Sequence, residues 1–356
     1  MIGSGWGSIR RVLLVMALGV AGIVGDIGLA PGTQATSVGV SSQLPRTAGS
    51  PAPAVPAMVL RPLLTPTSTP PPGAAVPYRM TAFDIQDLGP DDLPYADTRI
   101  PSIGPPPLHD RDGLPIKIVD KRRHYSPSGL AQFGLRYEDA YRRTRDAAHL
   151  EIARKALGKL MDLGIEANGG VFIPYRFDFA MHEIENEVIR APWYSAMAQG
   201  LALSLAIRLH RDTEEAGFRD DADRLFASFL ALGRGPDPWV TYVDDGFLWL
   251  EEYPEPTNPS DHTANGFNFA VFGIYDYYLA TRDPAALQIL NASLTTMRHH
   301  VADFRVPGGV SKYCLRHGRP QVKYHHVLIW QLRFLSAMSG DPYFASMSRK
   351  LAADHP

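Results

Sequence analysis

"HTANGFNFAVFGIYDYYLATRD", residues 262–283, is the stretch on which the fold turns. It opens with His, Thr and Asn, runs on as an almost unbroken apolar segment, and ends at Asp283 with Pro284 directly after. An apolar run of that length predicts a helix buried on most sides. The Asp–Pro pair predicts the start of another helix. Its carboxylate can accept from the free N–H groups of a first turn, where proline is also tolerated. The next residues are amphipathic, with Leu287, Leu290, Leu294 and Met297 on one face. The stretch therefore predicts a hairpin of an inner apolar helix and an outer amphipathic one.

Three more segments repeat the pattern: 124–146, 193–212 and 324–341. Asp146, Asp212, Asp283 and Asp341 mark the turns, at a supersecondary period of about 60 to 70 residues. Between the hairpins lie "NGGVFIPYRFDF" (168–179), "DDGFLWLEEYP" (244–254) and "GGVSKYCLRH" (308–317). Each begins at a glycine turn and continues as a short β-like run. Hairpins in series curve into a ring. The expected fold is thus mainly α, an (α/α) toroid of helical hairpins over residues 121–356 with short β-hairpins at one mouth. The β-runs feed the N-termini of the inner helices, which direct partial positive charge at that mouth.

Outside the toroid the sequence changes character. Arg10 and Arg11 precede an apolar run from Val12 to Val24, the pattern of a signal peptide or N-terminal anchor over residues 1–30. Residues 31–78 are Pro-rich and read as a disordered linker; residues 79–120 read as an extended arm. The expected location is outside the cell, secreted or tethered to the membrane through the N-terminal segment. Net charge is −2, so no global field attracts nucleic acid. Cys314 is the only cysteine. It excludes an intrachain disulfide and reads as a small buried filler. No ligand pattern stands out, so neither a metal nor a cofactor is expected.

The chemistry-bearing residues cluster around the β-runs. Tyr313, Arg316, His317, Tyr324 and His325 surround one run-to-helix junction, and Tyr175 and Arg176 occupy the equivalent place in an earlier unit. In "EEYP" (251–254) the adjacent acids point to opposite faces of a strand, so at most one faces the site. A concave, aromatic-lined mouth with convergent charges suits a glycan bearing carboxylates.

"WYSAMAQG" (193–200), "EEYP", "NGF" (265–267) with "FGIYD" (272–276), and "YCLRH" with "KYHHVLIWQL" (323–332) resemble the C-terminal domain of the D-glucuronyl C5-epimerases. The resemblance implies an (α/α) toroid and an activity: conversion of D-glucuronate to L-iduronate within a polysaccharide, by removal of the C5 proton and reprotonation from the opposite face. It implies acid–base roles for Glu252, Tyr253, Tyr313 and Tyr324. It also implies a role for Arg316 in neutralising the substrate carboxylate. His317, His325, Tyr194, Asn265, Tyr175 and Arg176 are expected to contact the uronate polymer. A free phenol has a pKa of about 10, so one tyrosine is expected to be shifted down, with Arg316 as the cation. Phenols from separate segments would then approach one sugar from its two sides, with the guanidinium between them. Leu328 stands where the animal enzymes carry a histidine, and the stretch before the first repeat is too short for their β-rich domains. Two other functions fit the same groove: a polysaccharide lyase acting by β-elimination, and a non-catalytic glycan-binding module.

Overall fold

The computed structural model describes residues 77–96, 99–184, 187–255 and 260–356. The expected signal peptide or anchor (1–30) and nearly all of the expected linker (31–78) lie outside the described residues. Among the described residues, eight α-helices form four hairpins: α1 (Pro127–Thr144) with α2 (Ala147–Leu163), α3 (Ala196–Thr213) with α4 (Ala216–Ala227), α5 (Ala264–Thr281) with α6 (Pro284–Phe304), and α7 (Val322–Ser339) with α8 (Pro342–Asp354). Each odd-numbered helix packs on its own partner and on the next odd-numbered helix in the series. The burial pattern explains the division. Every residue from Ala264 to Tyr277 of α5 is buried, as is every residue from Ala196 to Leu209 of α3. Helix α2 buries only a stripe, His149, Ala153, Ala156, Leu157 and Leu160, as an outer helix should. None of the described helices is long and apolar enough to cross a membrane.

Helices α3 and α5 cross at glycine. A Cβ on Gly273 would lie 2.2 Å from the Gly200 carbonyl oxygen, and one on Gly200 would lie 2.5 Å from Ala270 Cα. Gly200 closes "WYSAMAQG" and Gly273 lies in "FGIYD", so both motifs mark this crossing. In the same motif Gln199 accepts from Ile173 N–H (2.9 Å) and donates to the Val171 carbonyl (2.6 Å), which ties a β-hairpin to α3.

The turns follow one design. The last helical residue is followed by a left-handed C-cap, Arg145, Glu214, Arg282 or Gly340, and then by an acidic N-cap. Asp146, Asp283 and Asp341 each accept from backbone N–H groups of the next helix. Asp212 does not, contrary to the repeat. Helix α3 runs on to Thr213, so the cap position passes to Glu215, while Asp212 takes the Arg211 guanidinium at 2.9 Å.

Short antiparallel hairpins precede the inner helices: β1 (Lys117–Val119) with β2 (Arg122–His124), β3 (Ile165–Ala167) with β4 (Gly170–Phe172), β5 (Phe179–Ala180) with β6 (Val188–Ile189), and β7 (Thr241–Asp244) with β8 (Phe247–Leu250). The first hairpin straddles the expected 120/121 boundary. The run expected over 308–317 is not a strand. Gly308 and Gly318 take positive φ, and a Gly318 N–H bond to the Cys314 carbonyl closes a turn, leaving only isolated bridges such as Thr263 to Cys314.

Residues 77–96 cross the opposite end of the ring. Tyr78, assigned to the linker by composition, is buried, and its hydroxyl accepts from Gln288. Gln86 N–H bonds the Met338 carbonyl, the Tyr275 hydroxyl donates to the Gln86 carbonyl, and Arg208 donates to the Pro94 carbonyl. Tyr95 then stacks on Phe269. The arm thus caps the C-terminal ends of the inner helices, and the N-terminal ends carry the site.

Candidate active site

The site begins with a glycine. Glu252 follows β8, and its side chain lies against the first turn of α5, where a Cβ on Gly266 would come within 2.3 Å of Glu252 Oε2. That turn presents the Thr263 hydroxyl, which donates to Glu252 Oε2 at 2.9 Å. The Tyr313 hydroxyl donates to the same oxygen at 3.3 Å, and the Tyr253 and Tyr313 hydroxyls share a hydrogen bond of 3.1 Å. The Tyr324 ring lies 4.6 Å from that of Tyr313. Three of the four expected acid–base residues therefore form one hydrogen-bonded group, and the fourth packs on it. Glu252 and Tyr313 are buried; Tyr253 and Tyr324 are partly exposed.

Burial dominates the electrostatics. It pushes the Glu252 carboxyl up to about 7, against the Thr263 and Tyr253 hydroxyls, which favour the anion. Burial, reinforced by the Glu252 charge, also raises Tyr253 and Tyr313 well above the ordinary phenol range and Tyr324 to about 12. This reverses the expectation of a phenol shifted down. The reason is geometric. Arg316 reaches Glu187, with Nη2 3.3 Å from Oε1, while Tyr313 contacts the Tyr253 hydroxyl on one side and the Tyr324 ring on the other. The group titrating near neutrality is the carboxyl.

An aromatic wall adjoins the group. Phe179 stacks on Tyr253 at 5.4 Å, and Trp193 stands 6.0 Å from Tyr253. Tyr175 belongs to this wall as packing. It stacks on Trp193 at 3.9 Å, and its hydroxyl donates to Ser128 Oγ, so the expected substrate contact is corrected to a structural one. His325 is likewise corrected. It is fully buried, with Nδ1 accepting from Ser311 N–H and Nε2 3.1 Å from the Leu351 and His355 carbonyls, on the side of α8. Asn265 is buried in the first turn of α5, and its side-chain oxygen has no partner among the described residues. Tyr194 lies edge-on to Phe172, and the charge of the exposed Arg176 acts on its phenol.

The sequence reading missed His182 and Asp261. His182 follows β5, in left-handed conformation with φ of 52°. Its ring meets those of Tyr313 (5.0 Å), His317 (5.0 Å) and Tyr253 (5.7 Å). Asp261 is buried and takes His182 Nε2 at 2.6 Å on one oxygen and His317 Nδ1 at 2.7 Å on the other. Cys314 Sγ lies 3.3 Å from His317 Nδ1 and 3.8 Å from His182 Nε2. Four donor atoms able to hold a metal thus lie within 4.8 Å of one another. "SDHT" directly before an apolar run is a legible helix start, but nothing in "MHEIE" announced His182.

Fold and site together define an (α/α) toroid protein with an acid–base cluster at the N-terminal mouth of its inner helices. A family model described as "D-glucuronyl C5-epimerase C-terminus" matches residues 169–352, just over half of the chain, and the chain belongs to that family. It is 30% identical over 108 residues to a D-glucuronyl C5-epimerase of Caenorhabditis elegans, a match covering 30% of this chain and 16% of the worm protein. The chain therefore spans about a sixth of that relative. Similar solved structures include cellobiose 2-epimerase of Bacillus thermoamylovorans, with 12% identity and a TM-score of 0.47 over 66% of this chain and 60% of that one. A GH76 α-mannanase of Bacteroides thetaiotaomicron is 15% identical, with a TM-score of 0.44 over 66% and 58%.

Proposed function

We propose that this protein is an exported polysaccharide uronate C5-epimerase, converting D-glucuronate to L-iduronate residues within a polymer. The observation that carries the reading is the Glu252–Tyr313–Tyr253 group, in which a carboxyl with a pKa of about 7 is hydrogen-bonded to a phenol. A phenol whose pKa is raised is a poor base alone. Wired to a carboxylate, it need never become a free phenolate. As the partly exposed Tyr253 takes the C5 proton, its own proton passes through Tyr313 to Glu252. The C5 electron pair moves into the substrate carboxyl group as an enolate. Tyr324, the other partly exposed phenol, returns a proton to the opposite face. The catalyst resets when the proton on Glu252 is exchanged back to Tyr324 through solvent. Arg316, whose guanidinium pairs with Glu187, is the cation assigned to the substrate carboxylate. Positioned acid–base groups contribute roughly 10² to 10⁴ in rate, and charge stabilisation of the enolate supplies the larger share.

The test is incubation of the purified protein in deuterated water with a panel of uronate polysaccharides. Deuterium at C5 without chain cleavage is expected. Growth of the ultraviolet band of an unsaturated uronate would replace epimerisation by β-elimination, and binding without exchange would leave a glycan-binding module. Export and tethering belong to the same proposal and rest on residues 1–30 alone.

A further inference from the structure

We propose that His182, Asp261, Cys314 and His317 form a structural Zn²⁺ site beside the tyrosine group, stapling together three segments that are far apart in the chain. The donor set is specific in chemistry. Two imidazoles and a thiol are borderline-to-soft ligands, and with one carboxylate they make a mixed N/S/O set that suits zinc rather than calcium or magnesium. The geometry is close to what the ion requires. In a tetrahedral site with bond lengths near 2.0–2.3 Å, donor atoms stand roughly 3.3–3.6 Å apart. The two sulfur–nitrogen distances are 3.3 and 3.8 Å. The two carboxylate–imidazole distances, 2.6 and 2.7 Å, are those of shared protons, and they open when a metal takes the protons' place. Asp261 and Cys314 are buried and the imidazoles nearly so, with 10% and 11% of their side chains exposed, so the site is shielded from water.

A carboxylate stands behind one of the two imidazoles. Glu187 Oε2 lies 2.8 Å from His317 Nε2, the ring nitrogen facing away from the cluster, off the line of a hydrogen bond but positioned to orient the ring. A carboxylate behind a ligating histidine is the usual way to set its tautomer. Four protein donors also leave no open position, which marks a structural rather than a catalytic site. The consequence falls on Tyr313. It is bonded in the chain to Cys314, and the Cys314 segment bridges to Thr263, the residue whose hydroxyl holds Glu252. A metal here fixes the Tyr313–Glu252 hydrogen bond from behind. The inference stands whether or not the protein epimerises uronates.

The experiment uses tag-free protein and measures metal directly. Elemental analysis of the protein as purified should give about one zinc per chain. Replacing zinc by Co²⁺ should produce the near-ultraviolet thiolate-to-cobalt band and the strong visible bands of a four-coordinate ion. Chelation should lower the melting temperature by roughly 10 °C, restored by Zn²⁺. Cys314→Ser should abolish the thiolate band, and His182→Ala should lose at least tenfold in zinc affinity. Absence of bound zinc both as purified and after incubation with Zn²⁺, with an unchanged melting temperature, would overturn the proposal in favour of an Asp261-centred hydrogen-bond network. So would Co²⁺-loaded parent protein that shows no thiolate-to-cobalt band. Each readout is independent of turnover, so failure of the epimerase reading would leave the metal result standing.

Discussion

The inner helices bury carboxylates at both ends, and the two ends treat them differently. At the C-terminal end Asp276 of α5 is held by Arg208 of α3 at 2.8 Å, both buried, under the Pro94 carbonyl and Tyr95 of the arm. Burial opposes the Arg208 charge, but Asp276 and Glu138 more than offset it, and its pKa rises. At the N-terminal end Glu252 receives hydroxyl groups instead of a guanidinium. A full cation beside a buried acid locks its charge. Hydroxyls satisfy its lone pairs and leave the charge free to change near neutral pH. One end is built to hold a charge; in the proposed function the other transfers protons.

Substitutions at the two ends should therefore separate stability from turnover. Tyr313→Phe should lower C5 deuterium exchange about 10³-fold, with circular dichroism and melting temperature nearly unchanged; undiminished exchange would remove Tyr313 from the relay. Arg208→Met should do the reverse, costing about 3–5 kcal/mol by leaving Asp276 buried without its cation. Denaturant titration reads this loss, and exchange per folded molecule should be retained.

The pH response sharpens the same contrast. Glu252 is raised from 4.5 to about 7, so between those values the folded protein holds a proton that the unfolded chain has released. Stability should fall as pH rises through that window, by about 3 kcal/mol in all, and level off above it. Exchange should rise over the upper part of the same range, with its midpoint near 7, as Glu252 becomes the anion that accepts the relayed proton. Glu252→Gln should flatten the stability slope and erase the rising limb. A limb that survives would remove Glu252 as the group behind it. The smallest effect is expected at Tyr175, whose hydroxyl is spent on Ser128. Tyr175→Phe should cost about 1 kcal/mol in denaturant titration and leave exchange within a factor of two or so of the parent. A large drop would return Tyr175 to the site.

What was legible in the chain was whatever depends on neighbours in sequence. The apolar run of 264–277, the Asp–Pro starts at 283 and 341, and the amphipathic stripe of α6 are local patterns, and each became the element it predicts. Asp212 shows the limit. The repeat pointed to a cap, but the helix outlasted the pattern by three residues, ending at Thr213 with the cap at Glu215, because helix ends are settled by competing partners and not by alignment. Arg316 shows another. Its closeness in sequence to Tyr313 suggested a cation among the phenols, yet its guanidinium reaches across to Glu187.

The sequence by itself determined the helical hairpins, their order, and the presence of Glu252, Tyr253, Tyr313 and Tyr324 near the starts of inner helices, since periodicity and capping are properties of short segments. Only the tertiary structure decided that the phenols meet one another, that the carboxyl and not a phenol titrates near neutrality, and that His182 and Asp261 join Cys314 and His317. Burial and electrostatic coupling arise between residues 60 to 135 positions apart in the chain, as from His182 to His317 or Tyr253 to Tyr313. No local pattern encodes the distance between them.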